Sequence, residues 1–414
     1  MRILILTIYH DPEPIPKTGE LARELQRRGH DVTVVTSFPH YPSGRLYAGY
    51  RLRPWAWETR NGVRVLRTFI FPYHGTRASL RMVNYASWMI SAMAAAWLAP
   101  RCDVIYVWHP PLTVGVTAWV LSRFKRAPFV YDVQDLWPES ALASGLLRPG
   151  RLVSFLHRLA DWVYARADRL LVVSAATAAY LRERGVNSDK IRIARHWIDD
   201  SIFPAGEVTR EPRAELELQE RFVVMFAGNL GLVQGLETVI QAATHLRESP
   251  ITVVLVGDGA ARPDLERQSQ SLDLSNVVFT GRHAASTMPD FFRAADALLV
   301  HLRPSAIADH AIPTKILAYM AAGKPIICAM PGAAADLIRE AQAGVVLAPG
   351  DPVALADAIR RLAAMAPSER EALGTNGRRY LDRNLRKERV INEYEEILCE
   401  VAARAGSGQP AAPG

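Results

Sequence analysis

Four short segments in the second half of the chain have the composition to hold an anion. The first, Gly228-Asn229-Leu230-Gly231-Leu232-Val233-Gln234-Gly235, follows the apolar run Phe222–Ala227 and opens a helical stretch, Leu236–Leu246. Glycines let a backbone approach a phosphate closely, and a helix start offers unpaired N–H groups at the positive end of its dipole. The segment matches neither GxGxxG nor the P-loop, so by itself a turn that needs glycine explains it as well. Gly257-Asp258-Gly259 and Gly281-Arg282-His283 repeat the arrangement after Thr252–Val256 and Val277–Thr280. The fourth, His310-Ala311-Ile312-Pro313-Thr314-Lys315, opens the helical stretch Thr314–Ala322 after Ala297–His301. Pro313 suits a first helical turn, and Lys315 would add a cation beside free N–H groups. The chain has 6 lysines against 43 arginines, so a lysine here is pointed, although a solvated surface lysine is the ordinary alternative. Four such loops on one sheet edge are far more specific than any one of them.

In the first half, His109 in "WHPP" and Asp135 and Glu139 in "QDLWPE" also stand just beyond apolar runs. A packed strand-end histidine and a helix-capping aspartate beside Trp137 are the ordinary explanations for the first two.

The elements that must position these residues alternate between short apolar runs and amphipathic stretches. Strands are expected at Ile3–Thr7, Asp31–Thr36, Val63–Thr68, Val104–Trp108, Phe129–Val133 and Leu170–Val173, then at the four runs above, Pro325–Cys328 and Val345–Leu347. Near-continuous apolar runs of this length fit parallel strands covered on both faces. Helices are expected between them, with a capping box at Ser368 and Glu371 and a last amphipathic helix from Lys387 to Ala403. Pro204, Gly206 and Pro212 give Trp197–Arg221 the composition of a linker. The predicted fold is therefore α/β, two Rossmann-like doubly wound domains facing across a cleft. Their bounds are 1–200 and 201–385, with a C-terminal helix over 386–405 that could cross back to the first domain and a disordered tail over 406–414.

Composition narrows the class. Cys102, Cys328 and Cys399 lie far apart, which argues against a disulfide framework or a zinc site and for a cytoplasmic compartment. Residues 1–200 carry 27 Lys and Arg against 16 Asp and Glu, whereas the remainder is acidic with 22 against 26. A basic first half fits an anionic membrane face or a phosphorylated substrate, and a solvated Arg-rich surface is the plain alternative. No basic run has interleaved aromatics, so nucleic acid is not expected as a partner. Met82–Ala99 is uncharged, but Asn84, Ser87 and Ser91 interrupt it, and a covered helix explains it better than a membrane span.

The segments "FAGNLGLVQGLETVIQAA", "VLVGDGAARPDLE", "VVFTGRHAASTMPDFFRAADALLVHL" and "IPTKILAYMAAGKPII" resemble, in order and spacing, the family 4 retaining glycosyltransferases of the GT-B fold. "LARELQRRGHDVTVVTSFPHYPSGRLYAGYR" and "VYDVQDLWPES" look like the WbuB-like subgroup that builds bacterial surface polysaccharides such as O-antigen and colanic acid. The resemblance spans residues 1 to 400. It implies a nucleotide-sugar donor, UDP by family habit, with its diphosphate at Gly228, Asn229, Gly231 and Gln234 and around His310, Ile312, Pro313, Thr314 and Lys315. Gly257, Asp258, Gly259, Arg282 and His283 would contact the base and ribose. His109 would touch the donor sugar, Asp135 would face sugar or acceptor, and Glu139 and Lys17 would lie on the acceptor side. The implied acceptor is a polyprenyl-diphosphate-linked or other glycan at the inner membrane face. Trp55, Trp57, Phe69, Phe71 and Tyr73 could form an apolar rim there. No cofactor is implied, and no Asp-x-Asp stands ready for a divalent ion.

Two departures from the family pattern stand out. The usual Arg and Lys of the glycine loop are Asn229 and Gln234, which leaves Lys315 as the compensating cation. The paired glutamates, with seven residues between them, are His310 and Ala318. Ala318 cannot accept hydrogen bonds from ribose hydroxyls, a loss on the order of 1.5–3 kcal/mol of donor binding. A weakened or non-catalytic nucleotide-sugar-binding scaffold is therefore the second reading. An epimerase lacks its carboxylate constellation, and an oxidoreductase lacks GxGxxG after the first strand.

Overall fold

The apolar runs have become parallel strands because each is buried on both faces, and the amphipathic stretches between them cover the sheets. The computed structural model describes residues 1–75, 77–95, 97–143, 145–198, 210–305 and 307–406. They form two units, Met1–Ala194 together with the chain from Ile391 onward, and Arg195–Val390.

The first unit holds β1 (Arg2–Leu6), β2 (Asp31–Ser37), β3 (Trp55–Arg60), β4 (Val63–Thr68), β5 (Val104–Trp108), β6 (Phe129–Val133), β7 (Arg169–Val172) and β8 (Ile191–Ile193). Their order is β3-β4-β2-β1-β5-β6-β7-β8, parallel except for the β3–β4 pair. The second unit holds β9 (Phe222–Ala227), β10 (Ile251–Val256), β11 (Val277–Gly281), β12 (Ala297–His301), β13 (Ile326–Ala329) and β14 (Gly344–Leu347). Its order is β11-β10-β9-β12-β13-β14, parallel throughout. Chain direction across the sheet reverses between β1 and β5 in one unit and between β9 and β12 in the other. Both are doubly wound sheets with a switch point.

Several local expectations are corrected. β3 was not expected, because its residues alternate exposed and half-buried and Trp55 and Trp57 face solvent. Part of the linker is structured: Pro212–Glu215 is a helical turn, with Arg213 donating to the Ala294 carbonyl at 2.8 Å. Residues 199–209, with Pro204 and Gly206, and the tail 407–414 lie outside the described residues. The capping interaction sits two residues earlier than Ser368 and Glu371. There the Ala366 N–H donates to Glu369 at the head of Pro367–Asn384. The uncharged stretch near residue 82 belongs to the helix Ala78–Ala94, which buries Trp88 and Asn84, and no helix among the described residues is long and apolar enough to cross a membrane.

The last helix, Lys387–Gly406, returns to the first unit. Its Tyr394 hydroxyl donates to Asp132 at 3.2 Å, Glu395 meets Arg28 at 2.6 Å and Glu400 meets Arg169 at 2.7 Å.

Candidate active site

In the second unit, the turns that follow β9, β10 and β11 are joined through their backbones. The Gly228 N–H donates to Val256 O at 2.9 Å, Leu230 N–H to Asp258 O at 3.0 Å and Gly257 N–H to Gly281 O at 2.8 Å. Gly257 has φ 136°, and a β-carbon there would stand 1.9 Å from the Gly228 carbonyl oxygen. Only glycine fits so close a backbone approach. The Asn229 amide lies across Gly231 and Gly259, where added β-carbons would come within 2.7 and 2.6 Å of it. Gly228 itself is exposed, so the first turn presents an open backbone face.

Lys315 reaches that face. A β-carbon on Gly228 would sit 3.2 Å from its Nζ, which lies 3.6 Å from the Phe226 ring centroid and 3.4 Å from Gln234 Oε1. Among the described residues no carboxylate pairs with it, and burial brings its ammonium down to about 7. An ammonium held on an aromatic face and one amide oxygen, with no carboxylate partner among the described residues, has the chemistry to pair with an anion.

Two residues that sequence reading missed hold this arrangement. Tyr319, one turn along the same helix, accepts the Ala227 N–H at 2.9 Å and donates to the Ala227 carbonyl at 3.3 Å, pinning helix Lys315–Ala321 to the end of β9. His301, buried at the end of β12, has Nδ1 2.6 Å from the Gln234 carbonyl, which can only accept, so Nδ1 carries the proton and braces the loop. Their partners are 92 and 67 residues away, and no local signal marks them.

The other residues expected on the donor side are less uniform. Ala318 packs against the apolar cluster and offers nothing polar. His310 lies half-buried ahead of Ile312, Pro313 and Thr314, on a segment fixed by the Ala333 N–H on the Asp309 carbonyl at 2.8 Å. Asp258 accepts the N–H of Gly259 at 2.9 Å and stabilises its own turn. Arg282 is exposed. His283 is taken up by packing, with Nδ1 accepting from Arg210 at 3.0 Å and its ring 4.4 Å from Phe291.

The first unit carries a separate concavity of about 390 Å³ beyond β1, β2, β5 and β6, with Tyr9, Tyr41, His74, Arg81, Tyr85, Trp108, Asp135 and Trp137 on its walls. Asp135 reaches water there, yet the surrounding protein removes enough hydration to raise its carboxyl above the ordinary range. The loops of Tyr9 and Tyr41 are held by Glu13, a residue not singled out from sequence. Its buried carboxylate accepts the N–H groups of His10, His40 and Tyr41 at 3.0, 2.8 and 2.8 Å, and burial pushes it up to about 7.

The remaining first-unit residues are placed elsewhere. His109 is fully buried behind the end of β5, with neither ring nitrogen hydrogen-bonded, and burial lowers it to about 3. Glu139 does not line the concavity, because its carboxylate is engaged by the Tyr180 hydroxyl and by Arg184 at 3.3 Å. Lys17, pushed down to about 7 by burial, lies within electrostatic reach of Asp132 and Glu20 rather than on the concavity wall.

Residues 15–197 match the glycosyl transferase 4-like domain, and residues 221–365 match glycosyl transferases group 1. With the paired doubly wound sheets, these matches define the class: the chain is a group 1 glycosyltransferase of the GT-B type. Among particular proteins, it is 26% identical over 415 residues to the putative colanic acid biosynthesis glycosyl transferase WcaI of Escherichia coli K12, covering 95% of this chain and 98% of that one. A solved sucrose-phosphate synthase from Thermosynechococcus elongatus superposes with a TM-score of 0.76 at 20% identity, covering 97% and 99% of the two chains. The Anabaena protein HepE, solved with UDP and glucose, gives 0.72 at 18% identity, covering 97% and 100%.

Proposed function

We propose that this glycosyltransferase moves a sugar from a UDP-linked donor, a hexose or N-acetylhexosamine, to a lipid-linked or other glycan acceptor in cell-surface polysaccharide synthesis, with retention of configuration. The observation that carries the reading is the counter-ion-free ammonium of Lys315 against the open backbone of Gly228. As the bond from sugar to diphosphate breaks, negative charge grows on the leaving oxygens, and a preorganised cation beside bare backbone lowers that barrier most effectively. By the resemblance His109 is assigned to the transferred sugar, although the end of β5 covers it here, and Asp135 to a hydroxyl of sugar or acceptor. Support comes from HepE, solved with UDP and glucose, and from the colanic acid relative.

The test is a thermal-shift series with UDP, GDP and ADP. Stabilisation by UDP above the others, lost in Lys315→Ala, is the expected result. A folded protein that responds to no nucleotide at millimolar concentration sinks the reading. Ala318, packed in the apolar cluster where the family pattern has a ribose-binding glutamate, favours a second reading as a non-catalytic binder. UDP binding without turnover of any UDP-sugar would establish that one.

The aromatic rim belongs to the same proposal. Of its residues Trp55, Trp57, Phe69 and Phe71 are exposed on the first unit and Tyr73 is half-buried, while Trp97, 62% exposed, stands edge-on to Trp55 at 6.4 Å, and Arg51, Arg53 and Arg101 are exposed near them in sequence. Aromatic rings with flanking arginines suit an anionic lipid interface. Trp97→Glu with Trp55→Glu is expected to abolish co-sedimentation with phosphatidylglycerol vesicles while leaving the UDP response intact. Undiminished co-sedimentation would remove the membrane from the reading.

A further inference from the structure

The first unit has a second cavity, of about 460 Å³, that shares no lining residue with the concavity of Tyr9 and Asp135. Leu52, Pro54 and Trp55 lead into β3 on one side, Phe69 follows β4, and Ala94 and Ala95 close it from the end of helix Ala78–Ala94. The polar groups of these walls are spent on one another. The Phe69 N–H donates to the Pro54 carbonyl at 3.1 Å, and the Ala95 N–H to the Ser91 carbonyl at 2.9 Å. Ser91 also lines the cavity, with its hydroxyl 2.5 Å from the Phe69 carbonyl oxygen and 3.0 Å from that of Trp88. What these walls offer a ligand is therefore carbon surface.

Leu52, Trp55 and Phe69 are 39%, 47% and 37% exposed, so the cavity opens to solvent. Large apolar side chains grouped around an opening mark a surface that is covered in use. The charged residue on the wall is Arg53, which is exposed, and no carboxylate pairs with it among the described residues. An apolar cavity edged by an unpaired cation matches an anionic amphiphile, with its hydrocarbon inside and its head group at the guanidinium. The volume lies in the range of small-ligand sites, which admits one chain rather than a patch of bilayer.

We propose that this cavity receives one acyl chain of an anionic phospholipid, drawn out of the bilayer, while Arg53 meets the lipid phosphate. The proposal rests on the membrane part of the proposed function and gives that contact a specific lipid site, apart from donor and acceptor. An acyl chain is favoured over a carrier's prenyl chain because the bilayer presents acyl chains in great excess.

The probes are octyl, decyl and dodecyl phosphate, each kept below its micelle concentration, in calorimetric titrations of the full chain. Wild type is expected to bind about threefold to fourfold more tightly for each added methylene, until the chain fills the cavity and the gain stops. Ala94→Trp, which fills the cavity from an exposed helix position, should abolish binding. Arg53→Gln should weaken it by about fivefold and erase the preference for dodecyl phosphate over dodecyltrimethylammonium. Both variants must keep the wild-type response to UDP, which confirms their folding and separates failure here from failure of the donor-site reading. Affinity independent of chain length, a gain that never levels off, or binding that survives Ala94→Trp overturns the assignment. Tighter binding of farnesyl phosphate than of dodecyl phosphate also overturns it, because the cavity then belongs to a prenyl chain. Loss of chain binding in a protein that still co-sediments with vesicles removes the cavity and leaves the membrane reading standing. Chain binding in a protein that does not co-sediment refutes the bilayer as its source.

Discussion

Lys315→Ala is expected to lower kcat/KM for sugar transfer by about 10²–10³-fold, the usual cost of removing a donor that meets charge developing in a transition state. A loss below about tenfold would mean that Lys315 does not meet the leaving group. The same residue sets a pH signature. In the free protein burial holds its ammonium at about 7, against 10.5 in an open chain. The folded state therefore resists protonation of this lysine more than the unfolded state does. That penalty on stability is complete below about 7 and vanishes as pH rises toward 10.5. A bound diphosphate reverses the preference and draws the proton back. UDP binding should take up a proton above pH 7, and affinity should fall as pH rises from there. Calorimetry in two buffers of different ionisation enthalpy reads the uptake directly. Lys315→Gln should abolish it, and a pH-independent affinity in wild type would refute the coupling.

His109→Leu, close in volume, is expected to yield a more stable and far less active protein. Two buried ring nitrogens without partners are a standing cost of about 1–3 kcal/mol each at most. Recovering about 1–1.5 kcal/mol of that cost should raise Tm by roughly 2–6 °C for a unit of this size. Transfer should drop by about a hundredfold while UDP affinity is unchanged, because the histidine is assigned to the sugar and not to the nucleotide. A lower Tm together with full activity would make His109 an ordinary packed residue.

Much of this architecture was legible because the physics that builds it is local. Parallel strands buried on both faces leave uninterrupted apolar runs, so β5, β6, β9 and β12 were placed to the residue. Gly257 was legible because a backbone that close to another tolerates nothing larger, and Gly228 because its φ of 133° is one that side-chain-bearing residues rarely adopt. β3 was not, since an edge strand with one face in water alternates Trp, Ala, Trp, Glu and takes its structure from its antiparallel partner. The residues that hold the site were invisible for a related reason. Tyr319, His301 and Glu13 act through hydrogen bonds to backbone groups of distant segments, and neither composition nor period records such a partner. Glu139 and Lys17 were visible as charges, but their surroundings could not be known before the chain was folded.

The return of the last helix to the first unit has a consequence for biosynthesis. On the ribosome the first unit's sheet emerges before the second, yet of the two tyrosines that donate to its buried Asp132 only Tyr106 is then at hand, and Tyr394 follows 262 residues later. The second unit, Arg195–Val390, can close as soon as it clears the exit tunnel. At ordinary elongation rates the first must wait roughly 10–40 s for its final piece. Vectorial synthesis thus inverts the order of completion: the domain made first is finished last, and a nascent chain released early would carry an intact second unit beside an unfinished first one.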